Sequence, residues 1–320
     1  MKSLRNKHHT ALPGQKVSGL KAGDLVCPPV TNQRTSMVDT QKRLARAIDG
    51  LENSLDINLA PSRFTRYNNL LIEVINAIRD DGVWNGTQSK MKLLAQAKYE
   101  SKILSDAYDV AIQRNQLRDL RYIFSRLLKA EDLPEHDFPK SQGRNFLLEL
   151  DAYRLLSCGG LNVSIKEPDL ATDVAGWRLS FAVKRVRSRS KVVARIKEGE
   201  KQIWRSRSSG VVWLDVSKII NPQNMWCGSK DGSRPSFRHL AQILDQIAED
   251  YEPEIRKNCR CVEMVGIVYH GYHLVSSDDL MNGGSLACSL LHMLNEADAP
   301  GRLERLRHVS DCMNFAYNRN

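Results

Sequence analysis

A lysine at the end of an apolar strand is the first residue of this sequence whose type and position could serve chemistry. The strand predicted over 177–184 alternates with a period of two, so Arg178, Ser180, Ala182 and Lys184 share one face. We expect the opposite face to be core and this face to be wet or functional. A lysine in such a strand needs a partner, and the nearest candidate is Asp169 on the preceding predicted strand. A carboxylate and a lysine across a hairpin form either a structural ion pair or the centre of a reactive site.

The segments around this pair follow an order and spacing that form a larger pattern. They are Glu149, Pro168-Asp169, 181–185 (FAVKR), 201–203 (KQI) and 210–215 (GVVWLD). This pattern resembles the PD-(D/E)xK nuclease superfamily, whose members have the restriction-endonuclease-like fold. The resemblance covers about Gly143 to Ser217 and implies hydrolysis of phosphodiester bonds.

The resemblance assigns a role to each matching residue. It implies that a helix supplies Glu149, that Pro168 and Asp169 begin a hairpin, and that Lys184 closes the next strand. The following helix is then expected to direct Gln202 toward the site. In such a site, carboxylates hold Mg²⁺ or Mn²⁺, which lowers the pKa of a bound water and neutralises the phosphate under attack. The lysine orients that water or stabilises the developing charge.

One position departs from the family pattern. Ala182 stands two residues before the lysine, where the family normally has a metal-binding Glu or Asp. Some members carry that carboxylate on the next helix, where Glu198 is four residues from Gln202 and shares its helix face. The alternative for Glu198 is a solvated residue paired with a neighbouring Lys or Arg. The predicted metal ligands are Asp169, Glu198 and Glu149.

The positive charge of the chain is concentrated around these residues. The 320 residues include 47 Lys and Arg against 37 Asp and Glu, a net charge of +10. Residues 178–207 hold eleven basic and two acidic side chains, so this window carries +9 and the other 290 residues sum to +1. A nucleic acid is the expected partner, and the family favours DNA over RNA. The residues predicted to contact its phosphates are Arg185, Arg187, Arg189, Lys191 and Arg195.

The periodicity divides the chain into three regions and predicts an α/β fold. Residues 1–35 lack a sustained period and are predicted to be a flexible arm, and 36–135 form a helical domain with N-caps at Ser62 and Thr87. Residues 140–320 are predicted to form the restriction-endonuclease-like domain, a mixed sheet flanked by helices. In that domain we expect helices over 145–156, 190–205 and 236–250, and strands over 162–166, 169–174, 177–184, 210–216 and 262–270.

The sequence lacks the patterns that are typical of several other kinds of segment and site. No apolar run approaches the roughly 20 residues of a membrane span, and the basic start lacks the apolar core of a signal peptide, so we expect a cytoplasmic protein without a membrane partner. The seven cysteines are expected to be reduced thiols. A zinc site is not expected, because Cys261 and His270 lie at opposite ends of a predicted strand, roughly 30 Å apart. The sequence contains no nucleotide-binding glycine motif.

Two further interpretations concern single residues. Asp173 is predicted to be a turn residue rather than a metal ligand. Trp204, Trp213 and Trp226 are expected to be core or edge aromatics rather than platforms on which bases stack.

Three functions remain open. The first is a metal-dependent nuclease, with a role in restriction or anti-phage defence implied by the resemblance. The second is a catalytically inactive member that binds nucleic acid and docks a partner protein through its helical half, for which Ala182 is the argument. The third makes the N-terminal helices an oligomerisation module and the basic window a contact for an acidic protein.

Overall fold

The computed structural model of the chain describes residues 37–81, 84–128, 130–132, 142–166, 168–220, 237–259, 261–272, 284–292 and 300–319. Its helices are α1 (Met37–Leu55), α2 (Arg63–Asp81), α3 (Gln88–Gln113), α4 (Arg121–Leu127), α5 (Gly143–Cys158), α6 (Val192–Arg205), α7 (Ser217–Ile220), α8 (Phe237–Asn258) and α9 (Pro300–Arg319). Its strands are β1 (Val163–Ile165), β2 (Leu170–Val174), β3 (Trp177–Arg185), β4 (Ser209–Asp215), β5 (Val262–Tyr272) and β6 (Gly284–His292). The fold is therefore mixed α/β with a helical N-terminal part.

The N-terminal part consists of helices that each bury one face. In α1 the buried residues Leu44, Ile48, Leu51 and Leu55 repeat every three or four positions, which is the spacing of a helix packed on one side. Thr87 caps α3 as predicted, since its hydroxyl accepts a hydrogen bond from a backbone N–H of the first turn. The flexible arm predicted for 1–35 lies outside the described residues.

A fully buried carboxylate joins three of these helices. Glu100 of α3 is 0% exposed and accepts a 2.6 Å hydrogen bond from Nε of Arg63 on α2. Arg144 of α5 and Gln96 also donate to it. Burial alone raises the pKa of Glu100, but the charges of Arg144 and Arg63 outweigh burial, so the pKa lies below its usual value. The pair of arginines thereby fixes α5 against α2 and α3.

The six strands form one sheet in the order β1-β2-β3-β4-β5-β6. Strands β1, β2 and β3 are antiparallel neighbours, β3 pairs parallel with β4 and β4 with β5, and β6 returns antiparallel. Each parallel step requires a crossover, which α6 supplies between β3 and β4 and α7 with α8 supply between β4 and β5. The strands and helices predicted over 145–270 are all present, whereas β6 and α9 were not predicted.

Two apolar cores lie on opposite faces of the sheet. The first fills the helical part and continues between α5 and the sheet, where it includes Phe181 and Val183. The second lies under α6 and α8 and includes Ala182. The prediction that the face with Ser180 and Ala182 is wet or functional is wrong, because both are 0% exposed. The helix α6 covers them, and this face is exposed only at its two ends, at Arg178 and partly at Lys184.

The helices of the described ranges include none that is both long and apolar enough to cross a membrane.

Candidate active site at the ends of strands β2 and β3

The hairpin of β2 and β3 brings Asp169 beside Lys184. Its two turn residues, Ala175 and Gly176, have positive φ angles of 52° and 78°, as a tight two-residue hairpin requires. Asp173 accepts a 2.7 Å hydrogen bond from the N–H of Gly176, so its predicted role as a turn residue is confirmed. This turn fixes the register of the hairpin, and the other end of the hairpin is where the site residues meet.

The carboxylate of Asp169 binds both the backbone and the side chain of β3. Leu170 pairs with Phe181, which places Asp169 one residue further along, next to the strand end. Its Oδ2 atom accepts a 2.7 Å hydrogen bond from the N–H of Val183 and a 3.1 Å bond from Nζ of Lys184. The lysine side chain is 15% exposed and the aspartate side chain 12% exposed. The two charges are therefore held in a fixed position and are only slightly exposed to solvent.

Glu149 of α5 acts electrostatically on the same pair. Burial, and then the negative charge of Asp169, raise the pKa of Glu149 to about 8, while Lys184 lowers it. The helix α5 packs on β3, so this half-buried glutamate approaches the hairpin from the side of the first core. The structure therefore brings together Glu149, Asp169 and Lys184, three of the residues that the sequence singled out.

Glu198 does not join these three residues. It lies on α6, its side chain is 53% exposed, and Arg195 donates a 2.5 Å hydrogen bond to its Oε2 atom. This is the alternative considered for it, a solvated glutamate paired with a neighbouring arginine. Gln202 is half-buried on the same helix, and its Oε1 atom is buried without a hydrogen-bond partner among the described residues. An unsatisfied buried acceptor is costly, and a ligand that donates to it would remove this cost.

Ala182 cannot be replaced by an acid without disturbing α6. It is 0% exposed in the second core, and a Cβ atom added to Gly199 of α6 would lie 3.3 Å from the Ala182 Cβ. The position where the family has its second acidic residue is therefore part of the apolar contact between strand and helix in this chain.

The residues present could hold a divalent cation, but they offer it only two carboxylate ligands. Mg²⁺ is commonly held by one or two carboxylates together with substrate phosphates, and Glu149 with Asp169 could supply two. Burial is the larger cause of the raised pKa of Glu149, and a cation there would offset the second cause, the negative charge of Asp169. No group of three or more His, Cys, Asp or Glu side chains converges as a metal site in the part of the chain that the structure describes. The three-carboxylate set predicted with Glu198 is thus not assembled.

Arg185, predicted to bind phosphate, is instead engaged within the fold. It is 12% exposed, and its Nε atom lies 3.4 Å from Oδ2 of Asp215. Asp215 ends β4 beside Arg185 and forms an ion pair with it, in which Nε makes no hydrogen bond to a described residue, while Oδ1 of Asp215 accepts a 2.9 Å hydrogen bond from the N–H of Ser217. The sequence signal for this contact was an acidic residue at the end of the apolar strand β4, which runs parallel to β3.

The other four predicted phosphate contacts lie on the surface, before or within the first turn of α6. They are the exposed residues Arg187, Arg189, Lys191 and Arg195. Arg189 lies 3.4 Å from Asp250, but both side chains are well exposed, and such pairs contribute little to stability. These basic side chains can exchange a surface carboxylate for a phosphate at low cost.

Trp204 is another residue whose position the sequence did not predict correctly. The expectation of a core or edge position holds for Trp213, which is 2% exposed, but the Trp204 side chain is 70% exposed on α6. Trp226 lies outside the described residues. The spacing of the apolar residues of α6 could have predicted this exposure, since Trp204 falls outside the buried face formed by Val192, Ile196 and Ile203.

The cysteines next to β5 form no metal site with any described residue. Burial, and then the negative charge of Glu200, raise the pKa of Cys259 to about 12 and that of Cys261 to about 11. Both thiols are free and remain protonated at neutral pH. The side chain of His270 and the whole of His273 lie outside the described residues.

Comparison of the chain with models of known protein families, with curated proteins and with solved structures finds no match. The site must therefore be interpreted from its own geometry.

Proposed function

We propose that this protein is a metal-dependent nuclease that hydrolyses phosphodiester bonds, of DNA rather than RNA, with Glu149, Asp169 and Lys184 as its centre. The observation that carries the proposal is the fixed Asp169–Lys184 pair at the strand ends, with a second carboxyl group within electrostatic reach. Glu149, Asp169 and Lys184 are only partly exposed, and burial together with the charge of Asp169 raises the pKa of Glu149 to about 8. Carboxyl groups perturbed in this way concentrate at functional sites.

The order of the elements supports the same proposal. The helix α5 precedes three antiparallel strands, α6 follows, and β4 returns parallel to β3. In the sequence, Glu149, Asp169, Lys184 and Gln202 follow one another in the order on which the resemblance to PD-(D/E)xK nucleases rests, with Ala182 as the departure. We accordingly propose a restriction-endonuclease-like arrangement, and restriction or anti-phage defence as its setting.

The residues of the chain itself would perform the following steps. Asp169 and Glu149 would hold Mg²⁺ or Mn²⁺, which supplies an activated water and neutralises the phosphate. Lys184, held by Asp169 and by the carbonyl of Val183 at 3.0 Å, would place its ammonium group beside the charge that develops on the phosphate. The exposed basic residues before α6 would bind the neighbouring phosphates without reading the sequence.

The test is cleavage of supercoiled plasmid and of labelled RNA with Mg²⁺ or Mn²⁺. We expect the wild type to cut, Lys184→Ala and Glu149→Gln to lose at least about a hundredfold in rate, and Glu198→Gln to cut like the wild type. A rate unchanged in Lys184→Ala would refute the proposed centre. A large loss in Glu198→Gln would show that the exposed glutamate moves into the site and that our choice of ligands is wrong.

A second function is favoured by the burial of Ala182. With the usual acidic position closed by the contact to Gly199, the chain would bind nucleic acid without cutting it. Binding that weakens steeply with salt, in the absence of any cleavage, would support this function over the first.

A further inference from the structure

The outer surface of α6 combines an exposed aromatic ring with unpaired positive charge. Trp204 is 70% exposed, the highest exposure among the large apolar side chains of the described residues. Lys197, Lys201 and Trp204 follow one another at spacings of four and three residues and so form one stripe along the helix. Arg205 and Arg207 lie at the same end of the helix and are exposed.

The basic side chains of this surface do not form ion pairs with acidic residues of the described fold. No ion pair involves Lys197, Lys201, Arg205 or Arg207 within the ranges that the structure describes. This distinguishes them from Arg185 and Arg195, which contact Asp215 and Glu198. Exposing a tryptophan amid unpaired cations gives up burial energy without a gain in the free protein.

The end of α6 is also strained. Arg207 has φ of 53°, in the left-handed region that glycine or asparagine normally occupies after a helix. An arginine in this conformation costs about 1 kcal/mol or more, and residues held in this way concentrate at functional sites. The backbone N–H of Arg207 donates a 3.0 Å hydrogen bond to the carbonyl of Trp204, so the two residues belong to the same turn.

We propose that this surface binds an unpaired stretch of nucleic acid, with one base stacked on Trp204 and the flanking phosphates on Lys197, Lys201, Arg205 and Arg207. Positive charge selects a polyanion, and a ring that stands free on a helix can stack only on a base whose own face is open. Inside a duplex both faces of every base are covered by its neighbours. The occupant is therefore single-stranded or locally unpaired DNA or RNA.

The distance from the candidate active site fits a strand that continues into it. Gly199 of α6 lies over Ala182 of β3. From this point Lys184 is two residues further along β3, about 7 Å away. Trp204 is five residues further along α6, about 7.5 Å away in the opposite direction. The separation along the sheet is thus about 14 Å, the length of about four stacked nucleotides. The inference rests on the proposed function, since it specifies which form of nucleic acid reaches that site.

The test measures binding without a metal, so that it does not depend on cleavage. Fluorescence anisotropy in EDTA would compare labelled oligothymidylate and oligouridylate of about 16 nucleotides, a length that fills a typical single-strand site, with a duplex of the same length. We expect Trp204→Ala to weaken single-strand binding at least about fivefold, with less than about twofold effect on the duplex. Trp204→Phe should retain most of the affinity, and the matched control Tyr122→Ala, which removes a 59% exposed ring elsewhere, should bind like the wild type.

The charges are tested by the salt dependence of the same binding. Lys201→Ala should lower the slope of log affinity against log salt by about 0.7, the value for one phosphate contact on a single strand. The control Lys42→Ala, an exposed lysine of α1, should leave the slope unchanged.

Three results would overturn the inference. One is equal single-strand affinity of Trp204→Ala and wild type, and if the wild type still cuts plasmid, the nuclease proposal survives this result. A second is that Trp204→Ala loses binding to vesicles of equimolar phosphatidylglycerol and phosphatidylcholine while its oligonucleotide binding is unchanged. That result would make the surface a membrane contact. A third is a change in oligomeric state by sedimentation with no change in oligonucleotide affinity. Binding that depends on Trp204 in a protein that never cleaves would support the inference while refuting the nuclease.

Discussion

Glu149 should make the stability of the protein depend on pH in a direction opposite to that of most acidic residues. Its pKa is about 8 in the folded protein against an ordinary value of 4.5. Between these values the folded state retains a proton that the unfolded state has lost. The contribution of Glu149 to stability is therefore complete below about pH 4.5 and is lost as the pH rises through 8.

The magnitude follows from the same shift. Each pH unit in this window lowers the free energy of unfolding by at most about 1.4 kcal/mol. Because Glu149 is half-buried, solvent screens part of this effect, and we expect a loss of about 2 kcal/mol between about pH 5 and pH 8. Glu149→Gln keeps the shape of the side chain but cannot ionise, so the variant should lack this loss and gain on the wild type as the pH rises.

The assay is urea denaturation followed by circular dichroism at several pH values, in EDTA. The quantity of interest is the free energy of unfolding of Glu149→Gln minus that of the wild type, which cancels the titration of all groups that do not interact with Glu149. Glu304→Gln, on the exposed surface of α9, is the matched control and should follow the wild type. If the difference between Glu149→Gln and the wild type is constant from about pH 5 to pH 8, then Glu149 does not lie in the environment described, and its role beside Asp169 is wrong.

Three further substitutions test other parts of the structure. Glu100→Gln should lower the free energy of unfolding by about 3–5 kcal/mol, because it leaves two buried arginines without their counter-charge, and a loss below about 1 kcal/mol in chemical denaturation would contradict the network. Ala182→Asp should destabilise the protein by several kcal/mol without raising cleavage, since the carboxylate enters the apolar contact with Gly199; faster cleavage would show that this side chain reaches the site. Arg207→Gly should raise thermal stability by about 0.5–1 kcal/mol by relieving the left-handed conformation while weakening single-strand binding, and unchanged affinity would separate this residue from the proposed surface.

The sequence predicted the Asp169–Lys184 contact because both residues are placed by local rules. Period two puts the lysine at the end of an apolar strand, and the two-residue turn fixes which residue of the preceding strand lies beside it. The hairpin, its turn at Ala175 and Gly176, and the cap at Thr87 were predictable for the same reason. Each depends only on residues close in the chain.

What failed depended on packing between distant elements. The face of β3 with Ala182 is dry because α6 covers it, and no local pattern in the strand reveals that cover. Glu198 and Gln202 are four residues apart, but four residues also rotate the helix by about 40°, enough to carry Glu198 out to solvent and to Arg195. The partners of Glu100 lie 37 and 44 residues away in the chain, so its burial had no local signal.

The most direct test of the central claim compares two aspartates of one hairpin. Asp169 lies at its open end, bound to Lys184, and Asp173 lies at its turn, bound to the N–H of Gly176. The measurement is the rate of Mg²⁺-dependent DNA cleavage by the wild type, Asp169→Asn and Asp173→Asn. We expect Asp169→Asn to lose at least about a hundredfold in rate and Asp173→Asn to cut like the wild type. Equal rates for the two variants would contradict the central claim.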